Sequence, residues 1–400
     1  MTGYYDDLET RSADARAAAQ LQALKANIAR VAAAPGACRI EAGAVSDLSD
    51  LPKLPVLRKS DLVNWQKSQP PFGGIPVSNL VHVFQSPGPI YEPGGTSHDW
   101  WRMGRFLHAC GIGAGDIVQN CFGYHLTPAG MIFESGARAV GAAVLPAGTG
   151  QTELQARAAH DIGITAYAGT PDYLKVILEK ADELGLPLSI TRAAVGGGAL
   201  FPSLRQYYAD RGISCLQCYA TADLGNIAYE SDAQEGMILD EGVIVEIVTP
   251  GTGTPVPEGE VGEVVVTALN PDYPLIRFAT GDLSAILPGQ SPCGRTNTRI
   301  KGWMGRADQT TKIKGMFVRP EQVAQLVARH AEIARARVIA TREGDADVMT
   351  VQIETAAPAD PATFEPSVAE VLKLRGRVEL VGIGGLPRDG LVIEDQRRYD

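Results

Sequence analysis

Three segments rich in glycine and polar residues each follow a predicted apolar strand, at residues 84–95, 196–198 and 219–225. The first segment carries a carboxylate at Glu92 and the third carries one at Asp223. Open parallel sheets bind ligands just beyond the carboxyl ends of their strands. The three segments therefore predict a ligand site at one edge of such a sheet.

Common catalytic motifs are absent from the sequence. It contains no G-x-x-x-x-G-K-[ST] phosphate loop, no H-E-x-x-H and no G-x-S-x-G. Gly111, Gly113 and Gly115 follow a predicted helix and precede a predicted strand, which is the wrong order for a dinucleotide fingerprint. We interpret them as a helix-to-strand turn.

Overall composition favours a small-molecule substrate. The 36 basic and 46 acidic residues give a net charge of −10, and no block of Lys and Arg suggests nucleic acid or an anionic membrane. No apolar run reaches about 18 residues, and the N-terminus is acidic where a signal peptide would be basic. We therefore expect a cytoplasmic protein. The six scattered cysteines, including Cys215 and Cys218, suit free thiols in a reducing compartment.

The spacing of apolar residues predicts an α/β core between about residues 80 and 220, in which short strands alternate with amphipathic helices. The predicted strands are 80–84, 117–121, 142–145, 164–168, 192–195 and 213–219, and the helices are 97–111, 128–140, 151–161, 171–184 and 202–211. Strand pairs then predict a β-rich subdomain, and a helix–strand–strand–helix–strand pattern predicts a small α+β domain. We expect two domains, residues 1–305 and 306–400.

Several short motifs, in order, resemble those of the phenylacetate–CoA ligases, which are adenylate-forming enzymes. The resemblance spans roughly residues 48–400 and is carried by residues 115–120, 150–155, 170–174, 274–282, 293–296, 305–308 and 314–320. It implies a large N-terminal adenylation domain and a small mobile C-terminal domain. In such enzymes a carboxylate reacts with ATP to give an acyl-adenylate and pyrophosphate, and the thiol of CoA then displaces AMP.

The nucleoside half of the implied site is retained. By resemblance, Asp282 accepts hydrogen bonds from the ribose hydroxyls, Arg306 lies near the same sugar and Tyr219 stacks near adenine. Gly197 and Gly198 belong to the same nucleotide site. The alternatives are a turn or capping carboxylate for Asp282, a linker salt bridge for Arg306 and core packing for Tyr219.

The phosphate half departs from the family pattern. In residues 85–93 two extra prolines remove backbone donors, the paired threonines and the lysine are absent, and Glu92 adds a carboxylate. This segment fits a structural turn as well as an ATP loop. By resemblance Asp223 is the Mg²⁺ ligand, one methylene shorter than the family's glutamate. Leu391 stands where the catalytic lysine is expected, and no lysine follows Lys373.

The acyl pocket is implied at Tyr124, His125, Phe133 and Thr149. His125 could hydrogen-bond a substrate carboxylate or ring substituent, or it could be a structural residue. Some relatives hold zinc with three cysteines and a histidine, but only Cys293 remains at those places. We therefore expect no zinc site.

Two functional hypotheses follow from the resemblance, and a third from a different class. The first is an AMP-forming carboxylate–CoA ligase for an aromatic or other small organic acid, using ATP, Mg²⁺ and CoA. The second is a relative that has lost adenylation and binds an acyl-adenylate or acyl-CoA, or performs only the thiol-transfer step. The third is a non-catalytic partner subunit. Relatives suggest a homodimer by analogy alone.

Overall fold

The computed structural model describes residues 3–34, 40–86, 90–307, 309–314, 316–343, 346–356 and 360–397. Cys38 and the centre of the predicted phosphate loop, residues 87–89, lie outside these ranges. The helices are α1 (Ala13–Ala33), α2 (Lys59–Ser68), α3 (Gly104–Ala109), α4 (Ala129–Ala139), α5 (Thr152–Ile162), α6 (Pro171–Glu183), α7 (Pro202–Asp210), α8 (Pro320–Arg329) and α9 (Glu365–Leu372).

The strands are short, and many are apolar. In chain order they are β1 (Leu57–Arg58), β2 (His82–Ser86), β3 (Ile90–Gly94), β4 (Ile117–Asn120), β5 (Ala143–Pro146), β6 (Ala166–Gly169), β7 (Arg192–Val195), β8 (Ser214–Thr221), β9 (Gly225–Tyr229), β10 (Met237–Leu239), β11 (Val243–Val248), β12 (Gly262–Ala268), β13 (Phe278–Ser284), β14 (Ile286–Leu287), β15 (Arg299–Ile300), β16 (Thr311–Ile313), β17 (Met316–Val318), β18 (Ile333–Glu343), β19 (Ala346–Thr355), β20 (Arg377–Val381) and β21 (Ile393–Asp395).

The chain divides into two compact units that interleave along the sequence. Unit 1 comprises Met1–Val245, Val266–Phe278 and Leu287–Trp303, and unit 2 comprises Glu246–Val265, Ala279–Ile286 and Met304–Asp400. The expected domains, residues 1–305 and 306–400, are continuous, and that division stays a prediction.

A nine-stranded sheet has the order β14-β15-β10-β9-β8-β7-β6-β4-β5. Its strands β5, β4, β6, β7 and β8 are parallel, and they correspond to five of the six strands predicted for the α/β core. The central strand β6 is buried along its whole length, as expected for a parallel strand covered by helices on both faces. The carboxyl ends of β7 and β8 lead into the glycine triplet and the Asp223 turn.

The first predicted strand, residues 80–84, was wrongly assigned to the parallel sheet. Among the described residues, strand β2 pairs only with β3, as a two-stranded antiparallel hairpin in which Phe84 faces Glu92. Pro93 has no N–H to donate, which suits a small hairpin better than the interior of a large sheet. An apolar run indicates a strand but does not say which strand pairs with it.

The predicted helix over residues 97–111 was too long, because α3 covers only Gly104–Ala109. Asp99 and Arg102 have positive φ angles of 48° and 63°, which no helix tolerates. The Asp99 carboxylate instead accepts a hydrogen bond from the N–H of Gly104 at 2.8 Å.

Unit 2 has its own apolar core under the sheet β20-β19-β18-β21. Leu326 of α8 and Phe364, which precedes α9, pack with Val338, Val351 and Ile393 from the strands, and all five are nearly inaccessible to solvent. Among the described residues, no helix of either unit is both long and apolar enough to cross a membrane.

Candidate functional site

The glycine triplet at the end of β7 lies where larger residues would be strained or crowded. Gly197 has a φ of +69°, a conformation that L side chains rarely adopt. A Cβ on Gly196 would lie only 3.0 Å from the Sγ of Cys218. Tyr219 on the adjacent strand β8 is 9% exposed. Gly197, Gly198 and Tyr219 therefore come from neighbouring strand ends, as the sequence predicted.

Asp223 lies in the turn between β8 and β9, and its side chain is fully buried. The Nζ of Lys59, at the first position of α2, lies 2.9 Å from the Oδ2 of Asp223. The Lys59 side chain is 41% exposed. The predicted Mg²⁺ ligand is thus already paired with a cation from the protein.

Glu92 on β3 is buried beside this ion pair and accepts a hydrogen bond from the hydroxyl of Ser86. Burial, and after it the negative charge of Asp223, raises the pKa of Glu92 to about 8 despite opposing effects from Ser86 and Lys59. Glu92 is therefore largely protonated at neutral pH. Its carboxyl is held in unit 1 at the segment where the family's phosphate loop was expected.

Tyr273 completes this group. Burial raises the pKa of its phenol, and the charges of Asp223 and Glu92 raise it further. Four buried atoms, the Oε2 of Glu92, both carboxylate oxygens of Asp223 and the hydroxyl of Tyr273, have no hydrogen-bond partner among the described residues, so the contact of Asp223 with Lys59 is an ion pair and not a hydrogen bond. We call Lys59, Ser86, Glu92, Asp223 and Tyr273 the Asp223 cluster.

The four residues implied for the acyl pocket do not share one environment. Phe133 is buried and stacks on Phe122 with ring centroids 4.3 Å apart. Tyr124 is half-buried and its hydroxyl accepts a hydrogen bond of 2.8 Å from Asn120. The side chains of His125 and Thr149 are exposed. Their roles stay predictions.

In unit 2, Asp282 and Arg306 form an ion pair, with the Arg306 Nη1 2.8 Å from the Asp282 Oδ1. Asp282 is on β13, and the backbone N–H of Ala307 donates to the carbonyl of Gly281 at 2.7 Å. Gly281 has a φ of +73°, and a Cβ there would approach the Arg306 guanidinium to 2.8 Å. The structure thus brings together two residues that the sequence assigned to the same sugar.

Leu391, in the same unit, donates its N–H to the Asp389 carboxylate at 3.0 Å and lies in a segment that Gln309 also holds. The Gln309 amide donates to the carbonyl of Gly390 at 2.9 Å, and its oxygen accepts from the N–H groups of Val392 and Ile393 at 2.6 and 2.8 Å. The nearest basic residue along the chain, Arg388, is ion-paired with Glu260.

The places implied for zinc hold other groups. The Sγ of Cys293 lies 3.1 Å from the Ser291 hydroxyl and 3.5 Å from the Nη1 of Arg295. Cys215 and Cys218 are buried free thiols. Within the described ranges, no group of three or more His, Cys, Asp or Glu side chains could hold a metal ion.

Sequence reasoning missed Lys59 and Tyr273. Lys59 is far from Asp223 in the sequence, so no local motif joins them. The sequence did contain one signal for Lys59. Arg58 and Lys59 are two cations at the start of α2, where the helix dipole disfavours positive charge. Basic residues there suggest an acidic partner elsewhere in the fold.

The fold is that of the adenylate-forming CoA ligases. A crystal structure of 2-hydroxyisobutyryl-CoA ligase, in an open conformation with 2-HIB-AMP and CoA, superposes with a TM-score of 0.70 at 24% identity. The alignment covers 95% of this chain and 91% of that chain. This confirms the predicted fold class.

Sequence relatives then define the family, although no family model matches the chain. A phenylacetate–coenzyme A ligase of Escherichia coli is 30% identical over 406 residues, covering 94% of this chain and 91% of that protein. One from Thermus thermophilus is 30% identical over 330 residues, covering 78% and 73%. The chain belongs to the phenylacetate–CoA ligase family and is an enzyme of the AMP-dependent CoA ligase type, which confirms the resemblance.

Proposed function

We propose that this protein transfers the acyl group of an acyl-adenylate to CoA, and that it forms the adenylate from ATP only weakly or not at all. The acid is an aromatic or other small organic acid. In the proposed transfer the thiol sulfur of CoA bonds to the acyl carbon and the bond from that carbon to the phosphate oxygen breaks. AMP leaves with the electron pair, and the thiol proton passes to solvent.

The apolar Leu391 carries this proposal. Adenylation develops charge at the α-phosphate, and a preorganised cation there lowers the barrier. Leu391 cannot supply that charge, and Arg388, three residues earlier, is engaged by Glu260. The thiol-transfer step is implied by family resemblance to use the C-terminal domain in another orientation, so the loss of the lysine chiefly affects the first half-reaction.

The nucleoside of AMP or of the acyl-adenylate is assigned to Asp282, Arg306, Tyr219, Gly197 and Gly198. The retained ion pair between Asp282 and Arg306 supports this assignment. An aromatic acid is supported by the stacked rings of Phe122 and Phe133 near the glycine triplet, since a Cβ on Gly197 would lie 3.6 Å from the Phe122 ring.

Mg²⁺, which the resemblance implies at Asp223, does not suit the residues present. Mg²⁺ is held by one or two carboxylates together with substrate phosphates and water. The Lys59 ammonium already lies 2.9 Å from the Asp223 carboxylate, the position that the metal would take. We therefore derive no step through the metal.

A two-part assay tests the proposed function. The first part supplies synthetic aryl or alkyl acyl-adenylates with CoA and measures thioester and AMP. The second supplies ATP, CoA and a panel of acids and measures pyrophosphate. We expect turnover in the first and little in the second. Pyrophosphate release at ordinary enzyme rates, about 1–10³ per second, would overturn the proposal, as would failure to form thioester from any adenylate.

Two further expectations concern organisation. The division into residues 1–305 and 306–400, with the second part mobile, is supported by the compact apolar core around Phe364 and Val351. Limited proteolysis with mass spectrometry would test that boundary. A homodimer rests on analogy with relatives, and analytical ultracentrifugation would test it.

A further inference from the structure

The charge of the Asp223 carboxylate is balanced inside the protein. Its side chain has no solvent exposure, and the Lys59 ammonium lies 2.9 Å away. A buried, ionised carboxylate without a partner is costly, and a nearby cation offsets that cost. That cation can be a bound metal ion or a basic side chain, and here a basic side chain occupies the position.

The remaining groups around Asp223 do not favour a second cation. Ser86 and Tyr273 are neutral hydroxyls, and the Ser86 hydroxyl already donates to Glu92. Glu92 is buried, and one of its oxygens is already engaged by this hydrogen bond. A divalent ion entering beside Lys59 would have to shed water and share the Asp223 carboxylate with an ammonium group.

We propose that Lys59 takes the place of a divalent cation at Asp223, so that the site binds its adenylate ligand without Mg²⁺. The inference concerns the metal and rests on the proposed function only for the identity of the ligand. It explains how a buried acidic residue persists next to the expected position of an anionic phosphate. With Lys59 in place, Asp223 contributes little net repulsion to that anion.

Lys59 could in principle swing aside for a metal, because its side chain is 41% exposed. Such a movement would return the ammonium group to water at small cost, but the metal would gain only the Asp223 carboxylate. If Lys59 and a metal compete for Asp223, a variant without the lysine should bind divalent cations more tightly than the wild type.

The decisive experiment measures Mn²⁺ binding to the full-length protein by electron paramagnetic resonance, without nucleotide. We expect no stoichiometric binding by the wild type at neutral pH. Lys59→Met should bind Mn²⁺ roughly tenfold or more tightly than the wild type, because a buried carboxylate then lacks its partner. Lys53→Met, which removes an exposed lysine paired with Asp50, is the matched control and should change nothing.

A second measurement uses AMP, by calorimetry with excess Mg²⁺ or with EDTA. Wild-type affinity should be the same in both, whereas Lys59→Met should bind AMP weakly in EDTA and recover with Mg²⁺. Stoichiometric Mn²⁺ on the wild type, or AMP affinity that falls when EDTA is added, overturns the proposal. If AMP does not bind at all, the proposed function fails while the Mn²⁺ result still decides the role of Lys59. If Lys59→Met does not fold, the wild-type results decide alone.

Discussion

The ion pair of Asp282 with Arg306 in unit 2 and that of Asp223 with Lys59 in unit 1 have nearly equal lengths, 2.8 and 2.9 Å, but differ in burial. The Asp282 side chain is 11% exposed and its arginine 55%, whereas the Asp223 side chain is 0% exposed and its lysine 41%. Both aspartates are mostly buried, but Asp282 keeps some access to solvent beside the more exposed cation, so a ribose can reach it at smaller cost. A buried carboxylate that loses its partner is strongly destabilised.

This difference separates a group available to a ligand from a group committed to the protein. It also matches the sequence, in which the nucleoside motif around Asp282 is retained and the phosphate loop is replaced.

The largest expected effect comes from restoring the missing cation. Leu391→Lys should raise pyrophosphate release by about 10²–10³, the typical contribution of one preorganised electrostatic contact. Thioester formation from a supplied acyl-adenylate should change little. Both rates are measured on one preparation. Leu391→Met, of similar size but uncharged, is the control, and an equal gain with methionine would show that the charge is not the cause.

The next largest effect is on the free energy of unfolding, which should depend on pH through the protonation of Glu92. Its pKa is about 8 in the folded protein against a reference of 4.5. Below about pH 4.5 the Glu92 carboxyl is protonated in both the folded and the unfolded state, so its ionisation does not change the free energy of unfolding. As pH rises from about 4.5 to 8 the unfolded state releases the proton and the folded state retains it, so stability falls.

Glu92→Gln should therefore be more stable than the wild type by about 3 kcal/mol at pH 7, from 1.36 kcal/mol per pKa unit. The two proteins should converge near pH 4.5. Denaturant unfolding at several pH values gives the difference. Glu41→Gln, at an exposed carboxyl of the same unit, is the control. A gain that is independent of pH would mean that Glu92 is ionised in the fold.

Much of the fold could be predicted because its signals are local. Apolar runs between glycine and proline breaks located the five parallel strands to within a few residues. The signals that failed are not local. The positive φ angles at Asp99 and Arg102 depend on tertiary packing, and the pairing of β2 with β3 depends on which partner is available.

The candidate site divides in the same way. Asp282 and Arg306 are carried by short motifs, so their assignment to the same sugar could be made from the sequence. Asp223 was recognised, but its partner Lys59 and its neighbour Tyr273 come from distant parts of the chain. Its burial, which decides whether it is available to a metal, is a property of the folded chain that no motif encodes.

The affinity for AMP tests the role of Asp282, which belongs to the more accessible of the two ion pairs. Asp282→Ala should weaken AMP binding by roughly 1.5–3 kcal/mol, the scale of a hydrogen bond to a charged group. Asp282→Asn keeps an acceptor and should lose less. ATP should bind no more tightly than AMP, because the phosphate loop is replaced. Calorimetry measures AMP binding to the wild type and to both variants, and ATP binding to the wild type. Much tighter binding of ATP than of AMP would contradict the prediction that the phosphate loop is lost.

The smallest effect decides between a ligand role and a linker salt bridge for Arg306. Because its side chain is 55% exposed, Arg306→Ala should change the free energy of unfolding by no more than about 1 kcal/mol. If Arg306 contacts the sugar, AMP binding should also weaken, by about 0.5–1.5 kcal/mol for a hydrogen bond. Arg388→Ala is a matched control, since Arg388 is 56% exposed and paired with Glu260 in the same unit. It should show a similar stability change without loss of AMP affinity. If the two variants bind AMP equally well, Arg306 serves only the fold, and Asp282 alone would represent the nucleoside half in unit 2.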